Sequence, residues 1–255
     1  MVILYTPTKI MTLKVKGKNE GFKTEALIEE YLNNKKIVDL KTSNLKKFIY
    51  FICNENDIEL KKETIIKIKK FNKENLKIKI KGSPKTDKIF KIMNKEFRIS
   101  VKSGKGNAFH EEQEETFVKF LKDDLNANNE IVSFLKKFLR DKNQKNKALK
   151  DTEFHQLLKK NKQKIIDRVL SGIYGEPKVN YYCFCPKLES SDSKSNRINK
   201  IERCVFANHT SIVNYLVNNL SNSSCNVGAL SFQAQNKKRS TNIQFKWSDP
   251  YNDIK

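Results

Sequence analysis

The chain has 255 residues, enough for one large domain or two small ones. Hydrophobic residues make up 38% and the aromatics include 16 Phe and 8 Tyr, which excludes a disordered tail and predicts a folded core. Against 29 acidic residues stand 51 basic ones, a formal charge of +22. Part of this excess reflects a composition rich in Lys, Asn and Ile. A charge this large still repels itself unless an anion offsets it, so a polyanion is the expected partner, nucleic acid ahead of a membrane surface. No basic amphipathic stretch has the broad apolar face that a membrane surface requires.

The cysteines are Cys53, Cys183, Cys185, Cys204 and Cys225, an odd number. The opening MVILYTPTKI is too short and too polar for a signal-peptide core, and no apolar run approaches the length of a membrane span. The expectation is a cytoplasmic protein with reduced thiols.

In chain order, EGFKTEALIEEYLNN reads as a helix, with Ala26, Leu27, Tyr31 and Leu32 near helical spacing. LKKFIYFICNEN and KETIIKIKKFNKEN also read as helices. LKIKIKG alternates apolar and basic residues, as a strand does, and Gly82, Ser83 and Pro84 then break the chain. TDKIFKI and KEFRISVKS read as two strands of an antiparallel hairpin joined at Met93-Asn94. From Glu111 onward EEQEETFVKFLKDDL, NEIVSFLKKFLRDK and DTEFHQLLKKNKQKIIDRVLSG form a helical block over about 111–172, with Gly172 placed to cap its end. VNYYCFC and ERCVFA read as strands around a polar loop. HTSIVNYLVNNLS reads as a helix, and GALSFQAQ and NIQFKW as two last strands flanking the basic turn NKKRST. Neither a repeat nor a Gly/Ser- or Pro-rich linker divides the chain. The order predicts a single α/β (α+β) domain over 1–255, a central mixed sheet flanked by helices.

One stretch carries chemistry. In EFRISVK, Phe97, Ile99 and Val101 alternate with Arg98, Ser100 and Lys102, so a strand places Ser100 and Lys102 side by side on one face. Asp87 opens the preceding strand, and hairpin pairing brings it next to that face. A hard divalent cation takes carboxylate and carbonyl oxygens, and a nearby lysine orients an attacking water or stabilises charge on a phosphate. The bland alternative is a solvated basic hairpin.

GSPKTD followed by a strand ending in S-x-K resembles the PD-(D/E)xK nuclease superfamily, and more narrowly its MspI-like type II restriction endonucleases. The similarity spans roughly Gly82 to His110, with weaker echoes at both ends. It implies a restriction-endonuclease-like fold and Mg²⁺-dependent hydrolysis of double-stranded DNA at a short recognition sequence, leaving 5′-phosphate ends. By the same resemblance, Asp87 matches the metal-binding acid and Lys102 the motif lysine. The Val101 carbonyl is a further metal ligand, and Ser100 stands where the superfamily usually has Glu or Asp. The family often adds a glutamate from an N-terminal helix. Glu25 is the best match to that position, with Glu29 one turn on as second choice and an exposed helix-face acid as the alternative. Also implied are a cognate DNA methyltransferase as genetic partner and action as a monomer or homodimer.

Two segments have the residues to touch DNA. In SGKGNAFHEEQ, Gly104 and Gly106 permit close backbone approach to phosphate, and Lys105, Asn107 and His110 offer contacts to phosphates or base edges, as does Lys85 just before the acid. Glu111 and Glu112 read as a cap and start of the next helix. In SFQAQNKKRSTNIQFKW, Gln233, Gln235, Lys237, Lys238 and Arg239 lie on and around a turn that a β-ribbon carries into a groove. An ordinary exposed turn is its alternative.

Other signals carry less. Cys183-Phe-Cys185, Cys204, His209 and Cys225 match no common zinc-finger spacing and read as buried structural thiols, although strand alternation puts Cys183 and Cys185 on one face. His155 reads as structural or surface, GIYG as chance, and EEQEE as a solvated helix start. Rival functions are a repair nickase or junction resolvase of the same superfamily, and a DNA-binding protein without catalysis, for which Ser100 is the supporting feature.

Overall fold

The computed structural model describes residues 20–40, 44–71, 85–103, 108–141, 143, 145–171, 178–185, 204–237 and 240–254. Its elements are α1 (Glu20–Leu32), β1 (Lys35–Lys36), α2 (Asn44–Asn54), β2 (Ile65–Lys70), β3 (Lys88–Ile92), β4 (Lys95–Ser103), β5 (Ala108–Gln113), α3 (Glu114–Asp123), α4 (Asn129–Arg140), α5 (Glu153–Lys160), α6 (Lys162–Ser171), β6 (Tyr181–Cys185), β7 (Val205–Asn208), α7 (His209–Asn218), β8 (Asn226–Val227), β9 (Leu230–Lys237), β10 (Ser240–Trp247) and α8 (Pro250–Asp253).

The strands build two sheets. The first has six strands in the order β1-β2-β3-β4-β6-β7, and the second has four in the order β5-β10-β9-β8. In the first, β4 and β6 run parallel and every other pair is antiparallel, so the sheet is mixed, as expected. The long excursion between β4 and β6 carries β5 and α3–α6, the crossover that parallel pairing requires.

Strand alternation sets the layers. Phe90, Ile92, Phe97, Ile99, Val101, Tyr181 and Cys183 share the face that α1 and α2 cover with Ile28, Leu32, Phe48, Ile49 and Ile52. The opposite face contributes Tyr182 and Phe184 to a second core, shared with α3–α7 and with Phe232, Ile243, Phe245 and Trp247 of the second sheet. Burying one such large apolar side chain is worth about 1.5–3 kcal/mol, so each core contributes far more than the loops around it.

The structure corrects three expected elements. Ile65–Lys70 is a strand, not the helix read into KETIIKIKKFNKEN. Ile66 and Ile68 are buried while Lys67 and Lys69 face out, and β-branched residues at period two suit a sheet beside β3. The EEQEE run is not a solvated helix start: β5 extends to Gln113, and both Glu112 and Glu114 are buried. The segment from Asp151 to Ser171 is two helices, α5 and α6, parted at Asn161. The hairpin β3–β4 forms as predicted, with Met93 in its turn at φ +54°. The LKIKIKG strand, the Gly82-Ser83-Pro84 break and the Gly172 cap lie outside the described residues. No described helix is long and apolar enough to cross a membrane.

Candidate active site

Asp87 sits one residue ahead of β3, where its N–H donates to the Ile99 carbonyl at 2.9 Å and sets it opposite β4. Its Oδ2 accepts from the Val101 N–H at 2.7 Å and from the Ser100 hydroxyl at 3.1 Å. Lys102 Nζ lies 3.9 Å from the same oxygen, and the two side chains keep 26% and 21% of their surface exposed. The alternation read from EFRISVK therefore brings Asp87, Ser100 and Lys102 together at the edge of solvent. Ser100 is buried, and its hydroxyl orients the acid.

Helix α1 supplies carboxylates to this end of the hairpin. Burial pushes the Glu25 carboxyl above its ordinary range, and the charge of Asp87 pushes it further, against the pull of Lys88, Lys102 and Lys70. Glu25 thus lies within electrostatic reach of both Asp87 and Lys102. Glu29, one turn on, is committed elsewhere: it accepts from Lys88 Nζ at 2.6 Å. Lys88 is a core-facing residue of β3 with a side chain only 6% exposed, so its ammonium depends on that partner. Sequence reading passed over Lys88, although its place in the β3 alternation, two residues before Phe90, marks it as inward-facing.

Behind the acid runs a buried polar chain. Lys85 Nζ donates to the Phe109 carbonyl at 3.0 Å and lies 2.9 Å from His110 Nδ1. An ammonium can only donate there, so Nδ1 accepts and Nε2 carries the proton. Nε2 faces Glu112 Oε1 at 3.2 Å. Glu112 in turn takes Arg168 Nη2 at 2.8 Å and Nε at 3.3 Å, and the guanidinium lies 4.2 Å over the Phe120 ring. Burial, with Lys85 and Arg168 nearby, lowers the His110 pKa despite Glu112. Burial alone would raise the Glu112 carboxyl; His110 and Arg168 outweigh it and hold the group below its ordinary range. The DNA contact expected of His110, to phosphates or base edges, is corrected here. The residue is 4% exposed, because β5 pairs it with Phe245 and Glu112 with Ile243, which puts both on the core face of the second sheet. Reading HEEQ at period two would have found this.

The other face of that sheet is polar. Glu111 accepts from Asn242 Nδ2 at 2.6 Å through Oε1 and from Gln244 Nε2 at 2.9 Å through Oε2, and Gln244 Oε1 accepts from Gln235 Nε2. Gln233 pairs with Gln244 across β9–β10 and is partly exposed. The sequence reading named Gln233 and Gln235 but missed Glu111, Asn242 and Gln244, which only strand pairing unites. Lys105, Asn107, Lys238 and Arg239 lie outside the described residues, as does the Lys237 side chain. His155 is a buried structural residue, its ring tied to Asp151 and Asn226.

No protein-family model and no curated protein matches the chain. Among solved structures the chain is similar to the restriction endonuclease MspI in complex with its cognate DNA, with a TM-score of 0.59 over 89% of this chain and 88% of that one, at 16% sequence identity. The likeness establishes the architecture: a mixed central sheet flanked by helices, in the restriction-endonuclease-like fold.

Proposed function

We propose that the protein is a type II site-specific deoxyribonuclease. It hydrolyses both strands of DNA at a short recognition sequence with Mg²⁺, and leaves 5′-phosphate and 3′-hydroxyl ends. The observation that carries this reading is the convergence of Asp87, Ser100 and Lys102 at the head of the central hairpin, with Glu25 of α1 within electrostatic reach of the acid and the lysine, in a fold shared with an endonuclease seen on its DNA. The charge of +22 supports a DNA partner.

The donor set suits a hard cation. Asp87 Oδ1 takes no part in the bonds that hold Oδ2, and Glu25 adds a second, partly desolvated carboxyl whose ionised form a cation would favour. Asp87, Glu25 and the Val101 carbonyl are the residues that would hold Mg²⁺; when bound, the ion supplies positive charge at the scissile phosphate and a water of lowered pKa. The Val101 N–H and the Ser100 hydroxyl keep Asp87 in one orientation. Lys102 presents its ammonium beside the acid, where it donates to the attacking water or to a phosphate oxygen as charge develops. On the second sheet, Glu111, Asn242 and Gln235 offer donors and acceptors to base edges, with the buried Gln244 holding Glu111 and Gln235 in place between them, and the Glu111 carboxylate suits the cytosine amine. Such an enzyme calls for a cognate methyltransferase in its host and acts as a monomer or homodimer.

The test is incubation with unmethylated phage DNA and Mg²⁺, beside Lys102→Ala and an EDTA control, with sequencing of the ends. Discrete fragments sharing one end sequence, absent from both controls, support the reading. Random nicks favour a repair nickase or resolvase. Salt-dependent binding without cleavage favours a non-catalytic DNA-binding protein, the reading that the neutral Ser100 supports.

A further inference from the structure

A second group of ligating side chains lies on the far side of the central sheet from Ser100 and Lys102. Cys183 and Cys185 occupy alternate positions of β6, and Cys183 is the register partner of Val101. Cys204 stands one residue ahead of β7, which pairs antiparallel with β6. The Cys185 and Cys204 sulfurs are 3.2 Å apart, those of Cys183 and Cys185 3.8 Å, and all three lie within 4.8 Å of one another. The three belong to the core under α1 and α2, and the Tyr251 hydroxyl pins the end of β6 by donating to the Cys185 carbonyl at 2.8 Å.

Buried structural thiols need no such convergence. Cys53 and Cys225 are also buried and free, yet stand outside the group. Three points with these two edges and a third of at most 4.8 Å lie on a circle of radius about 2.4 Å or less, and a zinc–thiolate bond is about 2.3 Å. A cation at thiolate bonding distance therefore sits in or just outside the plane of the sulfurs once side-chain rotation widens the short 3.2 Å Cys185–Cys204 edge. Thiolates select soft cations, and among the described residues no carboxylate or imidazole joins the set.

We propose that Cys183, Cys185 and Cys204 form a trigonal thiolate site for a thiophilic d¹⁰ cation, zinc(II) or copper(I). The cation joins the end of β6 to the start of β7 and so fixes the strand beside β4. Each ligating thiol gives its proton to solvent, so binding releases protons and weakens as pH falls. The site does not depend on the nuclease reading.

The experiment uses the full chain, reduced and kept anaerobic. Zinc is titrated against a chromophoric chelator in one arm, and copper(I) against bathocuproine disulfonate in the other. The expected result is one equivalent per chain in at least one arm, unchanged in Cys53→Ser and Cys225→Ser. Indirect partners of a ligand already contribute about 10–100-fold in affinity, so Cys204→Ser is expected to weaken binding by more than that. No equivalent in either arm, or full affinity in Cys204→Ser, overturns the proposal. If Cys204→Ser fails to fold, X-ray absorption of the loaded wild-type chain decides: three sulfur neighbours uphold the site, and a nitrogen or oxygen shell overturns it.

Discussion

Arg168→Met tests the buried chain behind the candidate site. The substitution keeps an aliphatic side chain of similar length and removes the guanidinium, together with its contact over the Phe120 ring. Glu112 then loses two hydrogen bonds, at 2.8 and 3.3 Å, and its side chain is 0% exposed, so water cannot replace them. Removing one partner of a buried ion pair costs about 3–5 kcal/mol. Arg168 is itself 13% exposed and His110 remains beside Glu112, which places the expected loss near the lower end, about 3 kcal/mol. In a chain of this size that lowers Tm by about 6–12 °C. The assay is urea and thermal unfolding followed by circular dichroism, with Glu112→Gln alone and combined with Arg168→Met. The double variant is expected to recover part of the loss, because no uncompensated carboxylate is left buried. A loss below about 1 kcal/mol in Arg168→Met, or strict additivity in the double variant, would refute the claim that Glu112 is held ionised by its partners.

Three further outcomes are expected. Both His110 and Glu112 have lowered pKa values in the fold, so each favours folding in its deprotonated form. Stability is fully present above the unfolded-state values; it declines as pH falls through the imidazole range and again through the carboxylate range. Unfolding free energies measured across that span should show the first decline flattened in His110→Gln. Gly228 adopts φ +59°, and a Cβ there would meet the Leu216 carbonyl oxygen at 2.0 Å. Gly228→Ala should therefore cost about 2 kcal/mol or more, read by the same denaturation, and a neutral result would contradict the close approach of α7 to the turn before β9. Ser100→Ala removes one of the bonds that orient Asp87 and should slow DNA cleavage about tenfold with little change in DNA affinity, as single-turnover rates and gel shifts would show.

The candidate site was legible where chemistry followed from local alternation. Asp87 and ISVK lie at one end of a single hairpin, so adjacent strands and period two suffice to place Asp87, Ser100 and Lys102 together. Glu25 was named only through resemblance, since nothing local says where α1 docks; the fold brings it within electrostatic reach of Asp87 and Lys102. Composition carried the folded core and the expectation of an anionic partner, because net charge and apolar content do not depend on topology.

Tertiary structure decided the rest. Whether IIKIKK is a helix or a strand turned on β3 offering an edge, which a short apolar run cannot announce. Glu111 and Glu112 are neighbours in sequence, yet one heads a polar ladder and the other sits buried on Arg168, because β10 pairs with β5 in one register. Lys88 and Glu29 meet across 59 residues, and Cys185 and Cys204 across 19. Local propensity acts over a few residues. Long-range pairing and burial choose which side chains share a low-dielectric space, and the sequence states that choice only through the whole fold.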